Sequence, residues 1–171
     1  MSNAPFLIAD THFNHKKIVE FNGVHGTKLR PWTTVEEMNE AFIGNWNSVV
    51  PENGKVYILG DAGFGKTGLE IFRRLNGKHC LIKGNHDIRP LDEYLEHFYD
   101  IRGSHHLGDF VLTHIPIHPD SLSRYKSGCI HGHLHDGRVM LNGEIDKRYI
   151  CVSAEHTNFT PISFNQIESL R

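Results

Sequence analysis

Short apolar runs alternate along the chain with longer amphipathic ones. Phe6-Leu7-Ile8-Ala9 reads as a buried strand that ends on Asp10. Lys16 to Phe21 carries a short helical pattern. Glu36 to Val49 carries a longer one, with Met38, Ala41, Phe42, Asn45, Trp46 and Val49 at helical spacing. Thr33 or Thr34 is the expected N-cap of that helix and Pro51 its stop. Lys55 to Leu59 predicts a second strand running into Gly60-Asp61, followed by a helical Leu69 to Leu75. His79 to Lys83 predicts a third strand running into Gly84-Asn85-His86-Asp87, followed by a helical Leu91 to Phe98. Beyond residue 100 the pattern changes to short strands with little helix between them: Phe110 to Thr113, Cys129-Ile130, Arg138 to Leu141, Tyr149 to Ser153 and Pro161 to Phe164. A βαβα-like N-terminal half and a β-rich C-terminal half predict mixed α/β sheets covered by helices.

Composition narrows the class. At 171 residues and 22% charged positions the chain suits a single soluble domain spanning residues 1–171. A net charge of -2 argues against binding nucleic acid by bulk charge, so nucleic acid enters only as a substrate. No apolar run approaches a membrane span and no leader pattern opens the chain. Residues 1–4 read as either a cloning remnant or a native start and are set aside. The three cysteines, Cys80, Cys129 and Cys151, show no CxxC spacing, which predicts free buried thiols and a reducing, cytoplasmic setting. Oligomeric state leaves no mark in the sequence.

Fourteen histidines are the outlying count, and their placement carries the chemistry. Asp10-Thr11-His12, Gly60-Asp61, Gly84-Asn85-His86-Asp87, His114 and His131-Gly132-His133 each follow an apolar run. Ligands of α/β sheets bind at such carboxyl ends. In an extended segment residues i and i+2 point the same way, so Asp10 and His12 are expected to converge, and a kink at Gly132 to aim His131 and His133 at neighbouring ions. Taken singly, DxH or GNH is an ordinary turn or cap, and a lone His114 an ordinary buried histidine. Five such pieces in series are hard to read as turns, because unpaired buried polar groups cost several kcal/mol each. Carboxylate, amide and imidazole without thiolate suit Mn, Fe, Zn or Ni.

In this order, D-x-H, G-D, G-N-H-D, H and G-H-x-H resemble the calcineurin-like metallophosphoesterase family, over nearly the whole chain. The match is to its small single-domain bacterial and phage members that begin Asp-Thr-His-Phe. The resemblance implies an αββα sandwich of two mixed sheets flanked by helices. It also implies two divalent ions, Mn foremost with Fe, Zn, Ni or Co as alternatives. Asp10, His12, Asp61 and His133 would hold one ion, and Asp61, Asn85, His114 and His131 the other, with Asp61 bridging. A metal-bridging hydroxide would attack phosphorus, and His86 would assist as catalytic residue. The implied substrate is a small-molecule or nucleotide phosphodiester. Two departures stand out. The GDxxDRG of the phosphoprotein phosphatases is replaced by Gly60-Asp61-Ala62-Gly63-Phe64-Gly65, leaving Asp87 as the remaining candidate to orient His86. The Gly usual after Asp-Thr-His-Phe is Asn14 here.

Gly60 to Thr67 also fits the P-loop pattern G-x-x-x-x-G-K-[ST], with a strand before it and a helix after it. That gives the alternative reading of a nucleotide-binding NTPase or kinase. It leaves Asp10, His12, Asn85, His114, His131 and His133 unexplained, and a third reading is a metal-binding scaffold without turnover. Among smaller signals, His15 either lines the site or opens the next helix. Arg89 either contacts a substrate phosphate by its fork or pairs on the surface. His118, His135 and His156 either crowd the mouth of the site or, by default, sit in water.

Overall fold

Two-residue alternation in the strands divides their side chains between two cores, and that division sets the architecture. The computed structural model describes residues 4–171; of the four residues set aside above, 1–3 lie outside the described residues. The N-terminal half contains β1 (Phe6–Ile8), α1 (Val35–Val49), β2 (Lys55–Ile58), α2 (Gly65–Glu70), β3 (Lys78–Ile82), α3 (Leu91–Leu95) and β4 (Asp100–Arg102). The second half contains β5 (His105–Leu107), β6 (Phe110–Leu112), β7 (Gly128–His131), β8 (Met140–Leu141), β9 (Glu144–Ile145), β10 (Tyr149–Cys151) and β11 (Ile162–Ser163).

The first sheet has the order β11-β1-β2-β3-β4 and the second β10-β7-β6-β5, with β8 and β9 a separate hairpin. β1 to β4 run parallel and β11 antiparallel; β10, β7 and β6 run parallel and β5 antiparallel. Both sheets are therefore mixed, as expected. Ile8, Val56, Ile58 and Leu81 face α1 and α2 with Phe42, Trp46, Leu69 and Phe72. Their neighbours Leu7, Tyr57, Cys80 and Ile82 face the second sheet and meet Leu112, Ile130 and Ile150. The outer face of the second sheet, Val111, Cys129 and Tyr149, is covered by Leu122 from the 3-10 helix Pro119–Arg124. All three cysteines are free and buried.

α1 starts at Thr34, whose hydroxyl accepts from the Glu37 amide while the Glu37 carboxylate accepts from the Thr34 amide, a capping box. Other elements differ from the sequence pattern. The helix expected at Leu69 begins at Gly65 and tightens to a 3-10 turn at Ile71–Arg74. The one expected at Lys16 is a single 3-10 turn, Ile18–Glu20. β4 and β5 are edge strands carrying Asp, Arg and His, so the apolar alternation that marks an inner strand is missing from them. The sheets meet at the carboxyl ends of β1 and β10, where Ala9 donates to the Val152 carbonyl and accepts from the Ala154 amide. That seam brings the loops of both sheets to one place.

Candidate metal centre

Where the strands end, the backbone turns left-handed. Asp10, His12, Asn14, Asp61, His133 and His135 have φ between 48° and 72°. They make up six of the nine non-glycine residues with positive φ among the described residues. Asp, Asn and His tolerate this region best, so local geometry selects the same residue types as the chemistry does. It also explains Asn14, at φ 62, where a glycine is usual. The convergence of Asp10 and His12 therefore has a different cause from the one expected. The segment is curled rather than extended, and Asp10 Oδ1 and His12 Nε2 end 3.9 Å apart.

Both of those atoms are buried and without a hydrogen-bond partner. Asp61 Oδ2 lies 3.7 Å from His12 Nε2 and 3.4 Å from His114 Nε2. His114 Nε2 also faces Asn85 Oδ1 at 2.8 Å. Two sets of three ligand atoms lie within 4.8 Å of one another here: Asp10, His12 and His135, and Asp10, Asp61 and His114. Asp10 is common to both sets. A divalent cation between these atoms would satisfy the orphaned oxygen and nitrogen, so the donor set fits such an ion.

Burial and neighbouring charge set the protonation of these donors, and they do so differently for each. Burial pushes the Asp10 carboxyl up to about 6, against the pull of His135, His114 and Ser153. Burial opposes the charge on Asp61 too, but the hydrogen bond and charge of His114 hold it down at about 2. Burial keeps the His12 ring well below the ordinary imidazole range and takes His131 down to about 4, so both present neutral rings. Burial works against a charged His114 as well, but Asp61 and Asp10 raise it overall.

Each donor is held from behind. Asp10 Oδ2 accepts from the His133 amide at 2.8 Å and Ser153 Oγ at 2.7 Å. Arg30, fully buried, donates to the carbonyls of Asp10 and Thr11 and to Glu155 Oε1, so one guanidinium fixes the β1 loop. Asp61 Oδ1 accepts from the His86 amide at 2.9 Å. His114 Nδ1 donates to the Leu59 carbonyl at 2.8 Å and His131 Nδ1 to the Gly132 carbonyl at 2.7 Å, which leaves Nε2 of each ring as its other donor atom. A Cβ on Gly132 would sit 2.5 Å from Ala9 Cβ and 2.6 Å from Asp10 Oδ2, so only glycine lets β7 approach β1 this closely.

Asp10, His12, Asp61 and His114 thus come together, with Asn85 alongside. His131 and His133 stand in neither close set; the His133 ring packs edge-on against His114 at 5.1 Å. His86 is exposed, its ring 5.8 Å from that of His12. His15 is half-buried, its ring 5.6 Å from His12. Two expectations change. Asp87 does not orient His86, because its carboxylate accepts from the amides of Gly84, Asp61 and Ala62 at 2.8–3.0 Å and so ties the β2 and β3 loops together. The Arg89 fork is taken up by Glu93 on α3 rather than held open for a phosphate.

Of the two readings left open for His135, the structure supports a place at the site over the default of a water-exposed loop, since the residue is half-buried. It stacks on His12 at 5.3 Å, with its Nδ1 3.2 Å from Glu155 Oε1. Its place two residues after His133 was the available signal. Arg30, Ser153 and Glu155 carry none, since Arg30 and Glu155 meet across 125 positions. The geometry also counts against the P-loop reading: the amides of Asp61 and Ala62 donate to Asp87 and that of Phe64 to the Phe13 carbonyl, so these three loop donors are engaged internally.

No family model matches the chain. It is 35% identical to the uncharacterized protein MJ1445 of Methanocaldococcus jannaschii, over 96% of this chain and 89% of that one. It is 28% identical to the Gene 66 protein of Mycobacterium phage L5, over 91% of this chain and 87% of that one. Among solved structures it is similar to AQ665 of Aquifex aeolicus, a protein of unknown function. The TM-score is 0.71 at 23% identity, covering 98% and 99% of the two chains, which marks a shared fold. The 35% identity with MJ1445 across nearly both full lengths places the chain in the same family as that protein.

Proposed function

We propose that the chain is a metal-dependent hydrolase of phosphoric esters, that it holds two divalent ions, Mn foremost, and that it acts on phosphodiesters. The observation that carries this reading is the buried meeting of Asp10, His12, Asp61 and His114, with Asp10 Oδ1 and His12 Nε2 unpartnered. The order of motifs, similar to that of the calcineurin-like metallophosphoesterases, supports it independently. When bound, such ions supply Lewis-acid neutralisation of phosphoryl charge and activation of water near neutral pH.

The protein's own contribution is placement. Asp10, His12 and His135 would hold one ion, and Asp10, Asp61 and His114 the other with Asn85 alongside, so the carboxylate shared by the two close sets is Asp10 rather than the expected Asp61; His131 and His133 would complete the set from further out. Asp87 and Arg30 keep the loops from moving as charge changes in the site. His86 has its backbone pinned to Asp61 Oδ1 and its ring open to solvent beside His12, which suits an imidazole that gives a proton to the leaving oxygen. A diester, whose alkoxide leaves poorly, gains most from that proton.

Chelator-stripped protein should hydrolyse bis-p-nitrophenyl phosphate only after Mn²⁺ is restored, and faster than it hydrolyses p-nitrophenyl phosphate. His86→Ala should retain the metal and lose turnover, more on poor leaving groups than on activated ones. Absence of hydrolysis with every divalent metal would refute the reading.

A further inference from the structure

We propose that the cavity beside the metal-facing residues is a nucleobase-binding slot, which makes the substrate of this site a nucleotide diester. The inference rests on the phosphoesterase reading above and narrows it. A cavity of about 550 Å³ is lined by Asn14, His15, Lys16, Lys17, Phe64 and Thr67, within the range of small-molecule sites. An aromatic row leads outward from the centre into this cavity. The His15 ring is 5.6 Å from His12, 4.6 Å from Phe64 and 5.8 Å from Phe21, all edge to face.

Phe64 is 51% exposed and Phe21 46%, whereas Phe13, Phe42, Phe72 and Phe98 are buried. A phenylalanine ring left half in water forgoes much of the stabilisation its burial would give, so the fold itself gains less from Phe64 than from the buried phenylalanines. The position is fixed by the backbone. The Phe64 amide donates to the Phe13 carbonyl, Asn14 Nδ2 donates to Thr67 Oγ1, and Asn39 Oδ1 accepts from the Asn14 amide. The segment whose sequence matched a P-loop thus serves to hold an aromatic ring at the rim of the centre.

Charge identifies the occupant. Lys16 and Lys17 are exposed on the cavity wall, and no carboxylate is among its lining residues. An aromatic face flanked by two ammonium groups and polar Asn and Thr, continuous with a centre built for phosphate, matches a flat heteroaromatic base joined to phosphate. An acyl chain would find too many polar groups there. Bases of every kind stack on an aromatic ring, so the slot selects nucleotides without reading sequence.

The test is equilibrium binding of AMP, ribose 5-phosphate and orthophosphate to Mn²⁺-loaded protein. Stacking predicts AMP tighter than ribose 5-phosphate by roughly 5- to 150-fold. Phe64→Ala should erase that ratio while leaving ribose 5-phosphate and orthophosphate binding unchanged, and Phe64→Leu should restore little of it. Equal binding of AMP and ribose 5-phosphate, or an AMP advantage that survives in Phe64→Ala, would overturn the slot. Hydrolysis of bis-p-nitrophenyl phosphate by the wild-type preparation reports on the phosphoesterase reading separately. Hydrolysis without an AMP advantage rejects the slot alone, and a Phe64-dependent AMP advantage without hydrolysis supports the slot alone.

Discussion

The two sheets bring different donors to the same centre and hold them in different ways. The first sheet supplies the carboxylates, Asp10 and Asp61, and steadies their loops with buried charge: Arg30 on the Asp10 and Thr11 carbonyls, Asp87 on the amides of Gly84, Asp61 and Ala62. The second sheet supplies imidazoles, and neutral backbone carbonyls steady His114 and His131. A carboxylate fixes neither a tautomer nor an approach direction, so the loop that carries it must itself be immobile. An imidazole needs only one nitrogen engaged for the other to be aimed. Lesions in the first sheet's supports should therefore disturb the centre more than lesions on the second sheet's side.

The largest expected effect is at Asp61, which faces both His12 and His114. Asp61→Ala should lower metal affinity and turnover by more than the roughly 10- to 100-fold typical of losing an outer hydrogen-bond partner. Calorimetric metal titration checks it. Asp87→Asn comes next. It exchanges a carboxylate that accepts three amides for a neutral group with one acceptor oxygen. Stability should fall by about 1.5–3 kcal/mol, and metal affinity by roughly 10- to 100-fold. A denaturant titration of the stripped protein and a metal titration separate the two. An Asp87→Asn variant with unchanged metal affinity would break the comparison.

Glu155→Gln is smaller and depends on pH. Burial opposes the Glu155 charge, but His135 and Arg30 together hold its carboxyl at about 2, below the ordinary 4.5. A depressed carboxyl contributes stability that is full above about 4.5 and is lost as pH falls toward 2. Glu155→Gln should flatten the acid limb of the melting-temperature profile between those values. An unchanged acid limb would remove Glu155 from the support of the β1 loop. The least effect belongs to His118, whose exposed ring caps the 3-10 helix Pro119–Arg124 by accepting from the Asp120 amide at 3.3 Å. His118→Ala should lower stability by no more than about 1 kcal/mol and leave metal affinity as it is.

What the sequence revealed follows the range of the interactions involved. The inner strands and α1 were legible because alternation and capping are local, and Thr34 with Glu37 lies within one turn. β4 and β5 were hidden because edge strands carry polar residues. Asp10, His12, Asp61, Asn85, His114, His131 and His133 could be named as candidates from their positions after apolar runs, and of these Asp10, His12, Asp61 and His114 meet in the close sets. Their supports could not. Arg30 and Glu155 approach from opposite ends of the chain, and Asp87 reaches Asp61 across 26 positions. The left-handed φ at six residues of the site is invisible in an alternation pattern that assumes extended backbone, so the convergence of Asp10 and His12 was expected for the wrong reason.

The most direct test of a dinuclear phosphoesterase centre is equilibrium dialysis of Mn²⁺ against chelator-stripped protein, with bis-p-nitrophenyl phosphate hydrolysis followed on the same samples. The account predicts two Mn²⁺ per chain, hydrolysis rising with occupancy, and loss of both in Asp61→Ala. Protein that binds no Mn²⁺, or an Asp61→Ala variant that binds and hydrolyses like the wild type, would contradict it.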